Sequence, residues 1–181
     1  MSDLPTSPDA LLARLDELGI RTETVVHDPV FTVEESQTLR GPGAALSGPG
    51  GHCKSLFLKD KKGQLWLVVC DEDRKVDMKA LQGAIGSARL SFGKPDLLFE
   101  VLGVRPGSVT PFALVNDAGR QVKVVLDAAM MKKAPLHYHP LLNDRTTRIA
   151  PDDLLRFIDA CGHAPVVVDL DAADAGPPAA G

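Results

Sequence analysis

The chain has 181 residues, the size of one ordinary domain and enough to bury a core without disulfide staples. Hydrophobic residues make up 44% and charged residues 24%, a balance that excludes a disordered or fibrous chain. With 20 basic against 24 acidic side chains the net charge is −4, so no overall positive field draws the protein onto nucleic acid or a membrane, and any RNA contact has to be local.

Three cysteines, Cys53, Cys70 and Cys161, show no C-x-x-C spacing, which argues against a disulfide framework or zinc ribbon and for a reducing cytoplasm. No uncharged stretch reaches the ~20 apolar residues of a membrane span, and the start Met1-Ser2-Asp3-Leu4-Pro5 lacks the basic and apolar regions of a signal peptide. A soluble cytoplasmic protein is expected.

Ser7-Pro8-Asp9 is a helix start, and Leu11, Leu12, Leu15 and Leu18 recur at helical spacing until Gly19. Residues 22–27 are β-branched and read as a strand, Asp28-Pro29 turns the chain, and 32–39 reads as a short helix with Thr32 and Glu35 as a capping box. Between Gly41 and Gly51 glycine and proline are too frequent for a regular element, which predicts a mobile surface loop. Residues 55–58 and 65–70 form two central apolar strands around the charged hairpin tip Lys59-Asp60-Lys61-Lys62-Gly63.

Further along, 77–81 reads as helix, 88–92 as strand and 96–102 as helix. A second hairpin is expected from 112–115 and 121–126 around Asn116-Asp117-Ala118-Gly119-Arg120. Residues 136–139 read as a strand, 151–160 as a helix begun by Pro151, and 166–170 as a closing strand. The small residues of 171–181 predict a disordered tail after a single domain over 1–170. Short strands, short helices and hairpins together predict an α/β fold with a mixed, mainly antiparallel sheet and surrounding helices.

Several chemistries lack their motifs. There is no G-x-S-x-G, H-E-x-x-H, H-x-E with P-C-x-x-C, or G-x-G-x-x-G. The glycine loop running into Lys54-Ser55 is not a Walker site, because Cys53 replaces the required glycine and a strand follows instead of a helix.

Three clusters remain. Lys54, where the glycine loop enters an apolar strand, can hold an ester or phosphate oxygen and neutralise developing negative charge; the alternative is a solvated lysine at a strand end. Gly107-Ser108-Val109-Thr110-Pro111 lets a ligand approach the backbone closely, or is simply a turn. In Leu136-His137-Tyr138-His139-Pro140, alternation places both imidazoles on one strand face, but no third metal ligand has a telling spacing, so one histidine is either a substrate-positioning group or a structural one. His27 raises the same choice. The lysine runs at 59–62 and 131–133 are solvated faces or local phosphate contacts.

Taken in order, His27-Asp28-Pro29-Val30-Phe31-Thr32-Val33-Glu34-Glu35, Lys54-Ser55-Leu56-Phe57-Leu58, Gly107-Ser108-Val109-Thr110-Pro111-Phe112 and His139-Pro140-Leu141-Leu142-Asn143 resemble the prolyl-tRNA editing domain family, also called YbaK-like. The resemblance covers about residues 7–170 and is to the freestanding members. It implies an aminoacyl-tRNA deacylase acting in trans on Ala-tRNA(Pro), with Cys-tRNA(Pro) as the alternative substrate and a non-catalytic aminoacyl- or nucleotide-end binding module as the alternative class. By position it implies Lys54 as the essential lysine, Gly107 to Pro111 as the loop beside the aminoacyl group, His139 as the pocket histidine, and His27, Phe31 and Thr32 as part of the motif lining the cleft. The implied mechanism uses the substrate's own 2′-hydroxyl and no metal or cofactor. The implied partners are the mischarged tRNA(Pro) acceptor end and, on the protein side, prolyl-tRNA synthetase or an elongation factor.

Overall fold

The computed structural model describes residues 3–40, 43–44 and 46–174. Helix α1 (Pro8–Glu17) starts as its sequence dictates: the Ser7 hydroxyl accepts from the Ala10 amide and Pro8 sits in the first turn. Strand β1 (Thr22–Val26) leads to α2 (Val33–Thr38), where the Thr32 hydroxyl accepts from the Glu35 amide at 3.1 Å. The Glu35 carboxylate reaches back to the amide of Phe31 at 2.7 Å, one residue before the one a regular capping box uses.

Strand β2 (Gly51–Asp60) and β3 (Leu65–Asp71) form the expected hairpin, longer than the apolar run suggested. Asp60, nominally part of the charged tip, is buried and accepts from the amides of Lys62 and Gln64, which closes the turn. Then come α3 (Met78–Ile85), β4 (Leu90–Phe92), α4 (Pro95–Leu102), β5 (Val122–Asp127), β6 (Leu136–Tyr138), β7 (Arg145–Ile149), α5 (Pro151–Ala160), β8 (Val166–Val168) and α6 (Leu170–Asp174).

The strands run in the order β1-β7-β6-β2-β3-β5-β8, with β4 pairing β2. Four of the pairings are antiparallel (β1·β7, β2·β3, β2·β4, β6·β7) and three parallel (β2·β6, β3·β5, β5·β8), which is the mixed, mainly antiparallel sheet expected. Alternation along β3 divides two cores: Leu65, Leu67 and Val69 face the larger, with α1, α4 and α5, while Trp66, Val68 and Cys70 face the smaller, with α3 and α6.

Two expectations are corrected and one strand was not foreseen. Residues 112–115 are not a strand: Pro111–Asn116 is a 3₁₀ turn begun by Pro111, with the Thr110 hydroxyl accepting from the Phe112 amide, so the second hairpin does not exist. The polar run of β7 escaped the reading because its buried residues are threonines, Thr146 and Thr147. Residues 171–174, expected as tail, belong to α6: Leu170 is buried and the Asp169 carboxylate accepts from the Ala172 amide at 3.1 Å. The rest of the expected tail, and residues 41, 42 and 45 of the glycine loop, lie outside the described residues.

Candidate active site

The sheet order creates an opening in β2. One edge of this strand is paired with β3 over residues 53–59. Its other edge meets β6 only at Gly51 and His52 and β4 only from Leu58 onward, so among the described residues no strand pairs with 53–57 on that side. Against this bare stretch lies a cavity of about 190 Å³. Because the ladder is interrupted there, side chains from both faces of β2 reach it: His52 and Lys54 from one, Cys53 and Ser55 from the other.

Lys54 lies at the cavity wall, and its ammonium donates to the backbone carbonyl of Arg74 in the turn after β3. An ammonium has three N–H donors, so two are left for a ligand. Opposite, the loop after α4 contributes Gly107 and Val109. Gly107 has φ +89, a conformation glycine adopts without strain, and an added Cβ would stand 3.3 Å from the ring of Phe31. Phe31, 70% exposed, and Thr32 complete this rim. Their segment is fixed by Asn143, whose side-chain amide donates to the Val30 carbonyl at 2.8 Å, and by the His27 amide donating to the Asp144 carbonyl at 2.8 Å.

His139 lines the cavity just past the end of β6. Its Nδ1–H donates to the Arg145 carbonyl at 3.0 Å, which leaves Nε2 as the acceptor nitrogen of that ring. Burial holds its pKa below the usual histidine value, so the ring is neutral. His137 lines the same cavity but keeps different partners. Its ring stacks on His52 with centroids 4.2 Å apart, Nδ1–H donates to the Gly51 carbonyl, and Nε2 accepts from Arg148. Burial first, and then the neighbouring His137, pull His52 down to about 3.

The remaining residues singled out from the sequence take supporting places. His27 does not line the cavity; Nδ1–H donates to the Asp28 carbonyl and Nε2 accepts from the Thr146 hydroxyl, both at 2.7 Å, with its ring 6.1 Å from that of His139. Ser108, Thr110 and Pro111 are buried behind the loop: the Ser108 amide closes a turn onto the Arg105 carbonyl, and Thr110 caps the 3₁₀ turn.

Sequence reasoning did not find Val30, Ser36, Leu46, His52, Cys53, Ser55, Glu72, Tyr138 or Thr146 as wall residues. Cys53 and Ser55 flank Lys54 and were within reach of the sequence. Glu72, which pairs with Arg40, carries no local signal. Burial pushes the Cys53 thiol up to about 12, which removes it as a thiolate nucleophile at neutral pH. The buried Ser55 hydroxyl makes no hydrogen bond among the described residues. No group of three or more His, Cys, Asp or Glu side chains among the described residues is placed to hold a metal ion.

A mixed sheet with a lysine, a glycine loop and a neutral histidine around a small cavity is an arrangement that can handle a small polar ligand, and the Cys53 thiol in its wall is held protonated. Residues 27–157 match the model of the aminoacyl-tRNA editing domain, and the chain belongs to that family. It is 37% identical over 162 residues to the prolyl-tRNA editing protein ProX of Acetoanaerobium sticklandii, covering 89% of this chain and 96% of that one. It is 40% identical over 171 residues to the prolyl-tRNA synthetase associated domain-containing protein 1 of Bos taurus, covering 90% and 94%. The crystal structure of hypothetical protein APE2540 shares the fold with a TM-score of 0.68 at 18% identity, over 87% of this chain and 97% of that one.

Proposed function

We propose that the protein hydrolyses the ester of Ala-tRNA(Pro) in trans, releasing alanine and intact tRNA. Membership of the editing family makes it an aminoacyl-tRNA deacylase, an ester hydrolase. The observation that carries the reading is the convergence of Lys54, Phe31, Thr32, Gly107, Val109 and His139 on one cavity of about 190 Å³. That volume lies below the ~300–1,000 Å³ of sites for drug-sized ligands and suits a small aminoacyl group.

In this mechanism water adds to the ester carbonyl carbon, the bond to the ribose 3′ oxygen breaks, and that oxygen takes a proton. The Lys54 ammonium, anchored through one N–H, directs its remaining donors at the oxygen that becomes negative. The His139 Nε2 acceptor can orient the water, and the substrate's 2′-hydroxyl assists its attack. An aminoacyl ester is already activated, so positioning and charge stabilisation suffice. Such an activity is needed because a synthetase pocket shaped for proline gains only ~1–3 kcal/mol against a ligand lacking a methylene or so, whereas a second small pocket rejects proline by size. The mischarged acceptor end is the partner in this reading, with prolyl-tRNA synthetase or an elongation factor delivering it and the cytoplasm as the setting.

The test is release of labelled amino acid from Ala-tRNA(Pro), Cys-tRNA(Pro) and Pro-tRNA(Pro). Release of alanine with proline spared supports the reading. Faster release of cysteine replaces the substrate. Protection of all three esters against spontaneous hydrolysis leaves a binding module instead.

A further inference from the structure

We infer that Arg74, clamped by Asp127, is a positioning residue for Lys54; the inference rests on the reading that Lys54 acts on the substrate. The carbonyl that accepts the Lys54 ammonium belongs to Arg74, in the irregular turn between β3 and α3. In the backbone this turn is tied by the Arg74 amide to the Asp71 carbonyl at 3.1 Å and by the Glu72 amide to the His52 carbonyl at 2.9 Å. The Arg74 side chain adds a longer reach. Its Nε donates to Asp127 Oδ2 at 3.1 Å, and another arm pairs with Asp171 on α6.

Asp127 is fully buried at the end of β5, and its other oxygen faces the amides of Ala129 and Leu170, each at 3.4 Å. The Arg74 side chain is only 13% exposed. A charge-assisted bond to a buried carboxylate is stronger and better fixed than one at the surface, so β5 and the start of α6 hold the turn that presents the carbonyl. A lysine has four rotatable bonds and a mobile point charge. Holding its ammonium at one place in the cavity needs an acceptor that does not move, and the Arg74 clamp supplies it. The residues that steady Lys54 therefore come from β5 and α6, outside the four motifs that carry the family resemblance.

The experiment uses the full chain with Arg74→Met, Arg74→Lys and Asp127→Asn, each melted beside wild type. Lys54 is acetylated with acetic anhydride and read by mass spectrometry against Lys59, an exposed lysine on the same strand. The same variants, alone and combined with Lys54→Ala, are assayed on the alanyl ester in single turnover with enzyme in excess. Arg74→Met is expected to raise Lys54 acetylation relative to Lys59 several-fold. It should also lower the hydrolytic rate constant about tenfold with apparent affinity nearly unchanged, and add nothing in the Lys54→Ala background. Arg74→Lys should recover part of the rate, since one carboxylate is still paired. Unchanged Lys54 acetylation in a folded Arg74→Met protein, or a loss fully additive with Lys54→Ala, overturns the inference. Should Arg74→Met fail to fold, Asp171→Asn, which removes an exposed partner, is read the same way with a smaller shift expected. If no ester is cleaved by wild type, the deacylase reading fails while the acetylation result still decides whether Arg74 positions Lys54.

Discussion

Replacing Lys54 by alanine removes the one lysine or arginine that lines the cavity among the described residues, and with it the donors left over from its structural bond. Loss of one preorganised donor to a developing oxyanion costs about 10²–10³ in rate, or ~2.7–4 kcal/mol of transition-state stabilisation. The structural cost is smaller. One bond to the Arg74 carbonyl is lost, and water entering the open cavity can replace it, so a net ~1 kcal/mol is expected. For a domain of this size that lowers Tm by ~2–4 °C. Single-turnover release of alanine and a thermal melt, run on the same preparation, separate the two quantities. Lys54→Arg keeps the charge but brings a larger planar group, and its rate should fall between the two. A Lys54→Ala rate within about threefold of wild type, less than 1 kcal/mol, would refute the assignment of the ester oxygen to Lys54.

Other perturbations give independent checks. Gly107→Val forces a β-branched residue to φ +89, costing ~1–2 kcal/mol, and pushes its Cβ against Phe31, so both Tm and alanine release should fall; full activity would make the loop only a turn. His52 stays neutral in the folded protein down to about 3, whereas the unfolded chain takes up its proton near 6.5. Its contribution to stability is therefore complete above pH 6.5 and is lost as pH falls toward 3, by at most ~1.4 kcal/mol per pH unit. His52→Gln should flatten the pH dependence of urea unfolding between pH 7 and pH 4, and an identical slope in both proteins contradicts this. The Cys53 thiol, raised to about 12, should resist iodoacetamide at pH 8 in the folded chain and react once the chain is denatured, as peptide mass spectrometry can show.

What could be read in advance follows a physical pattern. Local signals with their own mechanism were legible: the caps at Ser7 and Thr32, the proline starts of α1 and α5, and the Gly63 hairpin. The apolar run of 112–115 was not, because a short buried stretch has no period to tell a strand from a tight helix; Pro111 and Thr110 decide it. Thr146 and Thr147 look like surface residues until β1 pairs beside them, where Thr24 and Thr147 share a 2.8 Å hydrogen bond. The site divides in the same way. Lys54, Phe31, Thr32, Gly107, Val109 and His139 were found through ordered motifs. His52 and Glu72 reach the cavity only through sheet pairing, and the Arg74 clamp joins residues 53 and 97 positions apart, separations with no signature in a single sequence.

The interruption in β2 also bears on solubility. Bare strand edges invite pairing with other chains, and proteins ordinarily shorten, charge or cover them. Here the open edge, residues 53–57, is flanked by β6 and β4. Five residues at ~3.3 Å each span ~16 Å, about the length of a typical strand, so flanking alone would not keep another chain out. Phe31 and Gly107 stand together on the rim of the cavity of about 190 Å³ in front of the edge. A sheet edge that would be an aggregation hazard on the outside of the molecule here forms the wall of a small cavity.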